Sequence, residues 1–455
     1  MKVFKKRIGF LISSQHLIPH GGIGQFAKGF VEMAGRLDWV VDIIMDAPPL
    51  PGASEFVGYL KSIPNVNFKS LVPPSNDFVA HQKIHSFSES LNFEKVMKFR
   101  DSLMKAMQSS LYDALVINTP EALFSTYALG IQDYIKIVFY THNENLVFRN
   151  NTFKGVFNDN YDPMIESFMR LPGIFVGTQS SRNNAELKEA GLTRTAWLPM
   201  PIPERSLLDS SDGLKKEGCL FIGRWEERKN PKAFVKAIKD SGLMAKVMTN
   251  ENGAKKFEEE FKKEGIENFV IKKSIIGEDK VNFIKSAKVF YMPSKSESFG
   301  FALMEALCHC HCVVEDYDWV YNFKTDLLSI ERVGSSKVGL RLRNLHYSEE
   351  GTEKGIKYVR SLDSASDLMW RDFIEQPHGL TSNSSSAKIN EQDDFFVDAF
   401  IDKTLGRFAS TEDLISIYGN RKKFNNFQTL TRTFLTKSEE MVVKEEEDNL
   451  DAFFG

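Results

Sequence analysis

The chain has 455 residues and a net charge of −3, with 42% hydrophobic and 12% aromatic residues. This length suits two or three domains, and the apolar content is sufficient for packed cores. The sequence has no run of eighteen apolar residues and only four cysteines, which argues against a membrane span and a disulfide framework and indicates a reducing cytoplasm.

The N-terminal segment carries several charges before a short apolar run. Polar residues interrupt this run at Ser13–His16, and no small-residue cleavage site follows. We therefore predict a buried first strand rather than a signal peptide.

The first half of the chain alternates short apolar runs with stretches of helical periodicity. Helices are predicted over Gly24–Leu37 and Phe93–Ser109. The predicted strands are Arg7–Ser13, Trp39–Met45, Leu115–Asn118, Ile135–Tyr140 and Ile174–Gly177. This rhythm of strand and helix predicts a parallel, doubly wound sheet.

A proline-rich segment, Pro199–Pro203, precedes a polar stretch and indicates an interdomain linker. A second series of strands follows at Cys219–Ile222, Ala245–Met248, Phe269–Lys272, Val289–Met292 and Cys312–Glu315. We predict an α/β chain with two Rossmann-like, doubly wound domains that face a cleft, at residues 1–203 and 204–437. Helices near Asp393–Leu405 and Thr411–Phe424 are expected to close the structure, and residues 438–455 to form an acidic flexible tail.

Ligands in open α/β sheets bind outside the carboxyl ends of strands, so the loops after strands are candidate sites. Gly22 and Gly24 follow the first strand and would let backbone N–H groups approach a phosphate or sugar. The spacing matches neither the dinucleotide-binding fingerprint nor a P-loop. His142 follows another strand and would point into the cleft, although a lone histidine is often structural.

Gly223 ends the first strand of the second domain, and Arg224 and Lys229 follow within one loop. Concentrated positive charge of this kind suits a diphosphate, both to bind it and to stabilise it as a leaving group. An exposed basic loop is the alternative. The cluster Cys308–Cys312 lacks the spacing of a structural zinc site, so we predict a packed turn there and no metal.

Glu297 and Glu305 lie eight positions apart around a Phe-Gly-Phe turn, between an apolar strand and a helical run. We expect Glu305 about two turns into that helix. Backbone N–H groups of Phe299, Gly300 and Phe301 would start the helix and attract anions or polar oxygens. Two exposed glutamates at a helix start are the simpler alternative.

Together, these motifs resemble the E-x7-E, Gly-Arg and Lys elements of retaining, nucleotide-sugar-dependent glycosyltransferases with the GT-B fold, over residues 7–315. The resemblance implies a UDP-sugar donor and no required cofactor. It assigns the donor sugar to Glu297, the ribose hydroxyls to Glu305 and the diphosphate to Arg224 and Lys229. It also implies roles for the glycine turn over the diphosphate, for His142 beside the sugar and for the loop at Ile276 around the base.

Within that family, Val138–Asn150 and Ile222–Lys229 look most similar to the T-even-type phage DNA α-glucosyltransferases. This implies transfer of glucose or arabinose to hydroxymethylated cytosine in phage DNA, in the host cytoplasm. Such a base must leave the duplex stack to react, and phosphate contacts would make binding sensitive to salt. The candidate contacts are Lys5, Lys6, Arg7, Arg149, Arg182, Arg421, Lys422 and Lys423.

Two alternatives remain. A bacterial-type enzyme of lipopolysaccharide or glycan synthesis would favour a basic, aromatic amphipathic helix in the first domain, and none is visible in the sequence. A non-catalytic nucleotide-sugar-binding protein would not need all of Arg224, Lys229, Glu297 and Glu305.

The acidic tail ends in an apolar group. Residues 439–455 have a net charge of −6, which leaves about +3 for the rest of the chain. Leu450, Phe453 and Phe454 are spaced so that one helical turn would present all three to a groove. The run resembles the C-terminal peptides by which phage replication proteins bind the sliding clamp. Folding back onto the body is the alternative.

We predict that removal of residues 445–455 leaves activity on short DNA unchanged and abolishes binding to a sliding clamp, because a docking peptide contributes nothing to catalysis. Activity assays and clamp pull-down on the same preparation test this. A truncated protein that loses stability or intrinsic activity would instead make the tail part of the fold.

Overall fold

A computed structural model of the chain describes residues 6–19, 21–50, 53–70, 93–127, 129, 131–132, 134–142, 169–170, 173–189, 191–209, 214–295, 297, 299–317, 319–320, 330–345 and 349–375. These residues form two compact units. The first contains those up to residue 17, from 30 to 200 and from 365 onward, and the second contains residues 18–29 and 201–364.

The first unit is built on a parallel sheet in the order β3-β2-β1-β4-β5-β6-β7. Its strands are β1 Lys6–Ile12, β2 Trp39–Met45, β3 Val66–Ser70, β4 Ala114–Ile117, β5 Lys136–Tyr140, β6 Ile174–Thr178 and β7 Thr195–Trp197. Strand β1 is central, and its Gly9 pairs with Asp42 on one side and Leu115 on the other. Strands β4, β5 and β6 are buried throughout and mostly apolar, as expected for a sheet that is covered on both faces.

Helices connect these strands: α1 Gly22–Arg36, α2 Ser54–Ser62, α3 Phe93–Ser109, α4 Pro120–Tyr127 and α5 Ser181–Glu189. Helix α3 packs its apolar face, including Phe99 and Leu103, into the same core as strands β4, β5 and β6. Its residues recur at helical spacing, which is why the sequence predicted this helix with the observed ends.

The second unit contains a six-stranded parallel sheet in the order β10-β9-β8-β11-β12-β13. Its strands are β8 Glu217–Ile222, β9 Ala245–Thr249, β10 Phe269–Lys273, β11 Ala287–Met292, β12 His311–Glu315 and β13 Ile330–Val333. The accompanying helices are α6 Pro231–Ser241, α7 Glu251–Lys263, α8 Gly277–Lys285, α9 Phe301–Leu307, α10 Val338–Asn344 and α11 Glu349–Glu375. Phe221, Phe234 and Phe257 pack together in its core.

The long helix α11 has residues in both units. Its last turns belong to the first unit, where the Trp370 ring meets Phe30 edge-on at 5.0 Å. The Trp370 indole N–H donates to the Pro199 carbonyl at 3.0 Å. This buried tryptophan therefore has both an apolar surface and a partner for its polar atom.

The predicted α/β class with two parallel, doubly wound sheets is confirmed. Strand β13 and helices α10 and α11 lie beyond Asp316 and were not predicted from the sequence. The predicted helices between residues 393 and 424 and the tail lie outside the described residues. No helix in the described part of the chain combines the length and apolar composition that a membrane crossing requires.

Two helical glycines give a matched test of packing. A Cβ at Gly355 in α11 would lie 1.9 Å from the Leu307 carbonyl oxygen, whereas a Cβ at Gly58 in α2 meets no atom within 4 Å. We expect Gly355→Ala to destabilise the protein by about 1–3 kcal/mol, because backbone must shift. Gly58→Ala should stabilise it by about 0.5–1 kcal/mol through helix propensity. Denaturation midpoints measure both, and shifts of the same sign would contradict the close packing at Gly355.

Candidate functional site

The second sheet reverses its direction of strand addition at one point. From β8 the chain adds β9 and β10 on one side, and it then returns to add β11, β12 and β13 on the other. The loops after β8 and β11 therefore leave the sheet on opposite sides of a crevice, which is where ligands bind in sheets of this type. These two loops carry the Arg224–Lys229 segment and Glu297.

Lys229 and Glu297 form an ion pair across this crevice, between Nζ and Oε1. Lys229 ends a short 3-10 turn, Glu227–Lys229, and both side chains are largely buried, at 14% and 7% exposure. A backbone hydrogen bond of 2.7 Å from Lys295 N–H to the Arg228 carbonyl joins the same two loops. The sheet order thus brings together two predicted site residues that lie 68 positions apart.

Burial sets the electrostatics of this pair. It lowers the pKa of Lys229, and the neighbouring Glu297 carboxylate opposes that shift. A buried charge is tolerated when an opposite charge and hydrogen bonds compensate its lost hydration. The crevice therefore holds a desolvated ammonium whose partner is a single carboxylate, an arrangement in which an anionic ligand could take the place of Glu297.

Arg224 lies on the same loop but makes a different contact. Its Nη1 is 3.1 Å from Oε1 of Glu226, and the side chain is 40% exposed. The Trp225 ring between these residues packs edge-on against Phe257 at 4.7 Å, which anchors the loop to the core. The described contacts therefore leave Arg224 in an exposed pair of its own rather than in the Lys229–Glu297 pair.

The turn between Glu297 and helix α9 depends on Gly300. This residue has φ 89°, a left-handed conformation that favours glycine, and it is the N-cap of the helix. Phe299 and Phe301 flank it with ring centroids 5.6 Å apart in an edge-on arrangement. The predicted strand, turn and helix are thus present in that order.

Glu305 is the fifth residue of α9, so it lies about one turn into the helix. The expectation of two turns was wrong, because it counted the eight positions from Glu297, whereas only those from Phe301 onward are helical. The carboxylate is nearly fully buried, and its Oε1 accepts a hydrogen bond of 2.6 Å from Lys280 Nζ. Burial raises the pKa of Glu305, and the Lys280 ammonium opposes that shift. Glu297 and Glu305 thus have different lysine partners.

The start of α1, which contains Gly22 and Gly24, belongs to the second unit. Lys28 forms an ion pair there with Glu204, and Gln25 Oε1 accepts a hydrogen bond of 3.1 Å from Lys280. The Glu204 carboxylate also lies 3.4 Å from the Gly277 N–H, directly after Ile276, at the start of α8. A Cβ at Gly22 would meet no atom within 4 Å, so the glycine turn is open at that position.

The sequence analysis did not predict the polar residues that interact around the starts of α1 and α8: Gln25, Lys28, Glu204 and Lys280. Lys280 follows the loop at Ile276, and only that loop was assigned a role. A signal was present, because Phe283 and Ile284 follow at helical spacing and are buried, which places Lys280 on the inward face of α8. A lysine on such a face requires a buried partner.

In the first unit, His142 and Asn118 follow the neighbouring strands β5 and β4. The His142 Nε2 atom lies 2.8 Å from Asn118 Oδ1. Asn118 Nδ2 donates to the Leu11 carbonyl at 2.9 Å, so Oδ1 is left to accept and His142 carries its proton on Nε2. Burial, with a smaller contribution from His16, lowers the pKa of His142 to about 3.

The predicted DNA-contact residues whose side chains the structure describes form ion pairs within the first unit. Lys6 and Arg7 lie at the amino end of β1, the opposite sheet edge from His142, and pair with Asp113 and Asp42. They are therefore unsuited to a site at the carboxyl ends of the strands. Lys5, Arg149, Arg421, Lys422 and Lys423 and the side chain of Arg182 lie outside the described part.

The cluster Cys308–Cys312 is the turn between α9 and β12. His309 Nε2 bonds the Leu207 carbonyl at 2.6 Å, and His311 pairs with Glu331 at 3.0 Å. All four cysteines of the chain are buried, and burial raises the pKa of each thiol. Among the described residues, no group of three or more histidine, cysteine or acidic side chains is arranged to hold a metal ion.

We predict that the His142 ring stays neutral between pH 5 and 8, because its folded-state pKa is about 3. The unfolded chain binds this proton below about pH 6.5, so this residue destabilises the fold as the pH falls from that value. Ring ¹⁵N shifts, assigned with His142→Gln, should show the Nε2–H tautomer throughout. A titration midpoint between pH 6 and 7 would contradict the burial.

Comparison with known proteins places this site in context. Residues 210–316, which contain Arg224, Lys229, Glu297 and Glu305, match the model of glycosyl transferases group 1. Comparison with curated protein sequences gives no significant match.

Several solved structures have folds similar to that of this chain. Sucrose-phosphate synthase from Thermosynechococcus elongatus is 15% identical, with a TM-score of 0.59 over 81% of this chain and 98% of that one. HepE from Anabaena, solved with UDP and glucose, is 14% identical, with a TM-score of 0.53 over 80% and 95%. WaaG, a glycosyltransferase of lipopolysaccharide biosynthesis, is 13% identical, with a TM-score of 0.51 over 81% and 99%. Residues 210–316 are therefore similar to glycosyl transferases group 1, and the chain has the two-domain α/β architecture that these GT-B structures share.

Proposed function

We propose that this protein is a retaining glycosyltransferase that transfers a sugar from a UDP-sugar. The observation that carries the proposal is the Lys229–Glu297 pair at the crevice of the second sheet. It lies inside the segment that matches glycosyl transferases group 1. The fold similarity to HepE, which was solved with UDP and glucose, supports a UDP-sugar as the donor.

In the proposed reaction, the donor diphosphate replaces Glu297 as the partner of Lys229. A phosphate offers a stronger charge-assisted contact than one carboxylate, and the released Glu297 then accepts hydrogen bonds from hydroxyls of the donor sugar. Arg224 joins the diphosphate from its exposed pair with Glu226, because such pairs contribute only about 0–1 kcal/mol and are exchanged at little cost. The two cations stabilise the negative charge that develops as the diphosphate leaves.

We assign the remaining roles by the resemblance. Glu305 binds the ribose hydroxyls, the loop at Ile276 contacts the base, and the glycine turn at Gly22 and Gly24 approaches the diphosphate. Phe299, Gly300 and Phe301 present backbone N–H groups at the start of α9. His142 is neutral, so it suits a sugar hydroxyl better than a phosphate. For retention, we propose a front-face route in which the leaving phosphate accepts the proton of the attacking hydroxyl.

For the acceptor, we propose hydroxymethylated cytosine in phage DNA, with glucose or arabinose as the transferred sugar, in the cytoplasm of the bacterial host. The support is the resemblance of Val138–Asn150 and Ile222–Lys229 to the phage DNA α-glucosyltransferases. The second candidate is a lipopolysaccharide or other glycan acceptor, which the fold similarity to WaaG favours. A protein that binds nucleotide sugars without transferring them is the third possibility.

An assay of UDP release separates these functions. We expect release from UDP-glucose or UDP-arabinose to rise when duplex DNA with hydroxymethylcytosine is added, and not with unmodified DNA of the same sequence. Stimulation by a glycan acceptor and not by modified DNA would favour the second candidate. UDP-sugar binding without transfer to either acceptor would leave a binding protein.

Arg224→Ala should lower kcat/KM by roughly 10²–10³-fold, as expected for the loss of one charge-stabilising donor at a leaving group. Lys232→Ala is the matched control, because Lys232 is an exposed cation three positions beyond Lys229 and is expected to change kcat/KM less than threefold. Steady-state kinetics with the UDP-sugar provide the measurement. Loss of less than threefold in Arg224→Ala would rule out its assignment to the diphosphate.

A further inference from the structure

Lys280 is a buried cation that the proposed reaction does not yet use. Its Nζ donates to Glu305 Oε1 at 2.6 Å and to Gln25 Oε1 at 3.1 Å, and all three side chains belong to the second unit. Lys280 and Glu305 are only 7% and 3% exposed. The ammonium is therefore held from two sides and is shielded from solvent.

The same hydrogen bonds extend to the glycine turn. Gln25 Nε2 donates to the Pro19 carbonyl, just before Gly21, while its Oε1 accepts from Lys280. A continuous path thus runs from the Pro19 carbonyl through Gln25 and Lys280 to Glu305. Each member is in contact with the next through a polar atom, so the position of the ammonium fixes the orientation of the carboxylate.

Stability alone does not require such a pair. Replacing a buried ion pair with apolar residues of similar size is often neutral or stabilising, whereas removing one partner leaves an uncompensated charge. The groups that face Glu305 are Lys280 on α8, Lys28 on α1, Glu204 before the second sheet and Cys308 at the end of α9. Lys28 is already paired with Glu204, so Lys280 is the principal counter-charge of Glu305.

We propose that Lys280 is a positioning residue of the nucleotide site: its ammonium holds Oε1 of Glu305 and leaves Oε2 to accept the ribose hydroxyls of the donor. This inference rests on the proposed function, because it assigns Lys280 to the ribose contact of Glu305. Lys280 itself does not touch the nucleotide. Its effect is to keep the carboxylate ionised and correctly turned, which makes ribose recognition depend on a residue 25 positions away in the sequence.

The test compares UDP with 2′-deoxy-UDP by calorimetric titration of the full chain at pH 7. The wild type should bind UDP more tightly than 2′-deoxy-UDP. The deoxy analogue lacks the 2′-hydroxyl that donates to the Glu305 carboxylate, so the carboxylate loses that partner. Lys280→Met should weaken UDP binding about tenfold and reduce the preference for UDP to near one. Lys280→Arg, which keeps the charge, should retain most of the preference.

Two further measurements separate positioning from a merely structural role. In Lys280→Met the pKa of Glu305 is raised further, because burial remains and the opposing ammonium is lost, so the preference for UDP should recover as the pH is increased, while the wild type stays constant. Glu305→Gln should lose the preference for UDP that Lys280→Met loses. The double variant Lys280→Met/Glu305→Gln should lose no more of this preference than either single variant. Arg341→Met, which breaks a different ion pair with Glu331, is the control and should leave both affinities unchanged.

If Lys280→Met does not fold, Lys280→Gln, whose side chain is shorter and uncharged, replaces it in the same comparison. The inference is overturned if Lys280→Met, or Lys280→Gln in its place, folds and keeps the ratio of the two affinities within twofold of wild type. It is also overturned if the wild type does not distinguish UDP from 2′-deoxy-UDP. Failure of the proposed function has a different signature: wild type would then neither bind UDP nor release it from a UDP-sugar.

Discussion

A buried charge is stable in a protein only where an opposite charge and hydrogen bonds replace the water it has lost, and the candidate site depends on this constraint. Lys229 and Glu297 come from loops after two different strands, and neither loop alone supplies the compensation. Because β8 and β11 are neighbours only through the crossover order of the sheet, the site is a property of the topology rather than of either loop sequence.

The ion pairs of the second unit differ in how readily a ligand could separate them. Arg224 and Glu226 form an exposed pair, which solvent and salt weaken. The Lys280–Glu305 pair is almost fully enclosed, so separating it would leave two uncompensated charges. The Lys229–Glu297 pair lies between these extremes, with a slightly exposed lysine at the sheet crevice. An anion entering the crevice would therefore draw Arg224 and Lys229 away from their carboxylate partners and leave the Lys280–Glu305 pair intact.

Much of the fold was predictable because strands buried on both faces are continuous apolar runs. The first strand of the second unit was predicted at Cys219–Ile222 and spans Glu217–Ile222. Strand β13 was missed because Glu331 and Arg332 separate its two apolar residues, Ile330 and Val333, so it contains no apolar run. Helix α11 was missed because it includes Gly351 and Gly355, and glycine opposes helix formation in the absence of packing. At Gly355 the packing is with the Leu307 backbone, which no local pattern reveals.

The site was predictable as a set of residue types and not as a set of contacts. Lys229 and Glu297 were both assigned to the donor site, but their pairing depends on strand order. Gln25 and Lys280, which are 255 positions apart, were not connected at all. The depth of Glu305 in its helix was overestimated, because the eight positions from Glu297 include the non-helical turn at Gly300. Local sequence specifies a turn chemistry, whereas the partner of a buried charge is decided by tertiary structure.

The placement of the thiols has a practical consequence. All four cysteines of the chain lie in the second unit, and all are buried with their ionisation suppressed. Because the thiolate is the reactive form, an alkylating reagent reaches them only when this unit opens. The rate of thiol labelling therefore follows the opening of the second unit by itself, without an engineered probe and without a signal from the first unit.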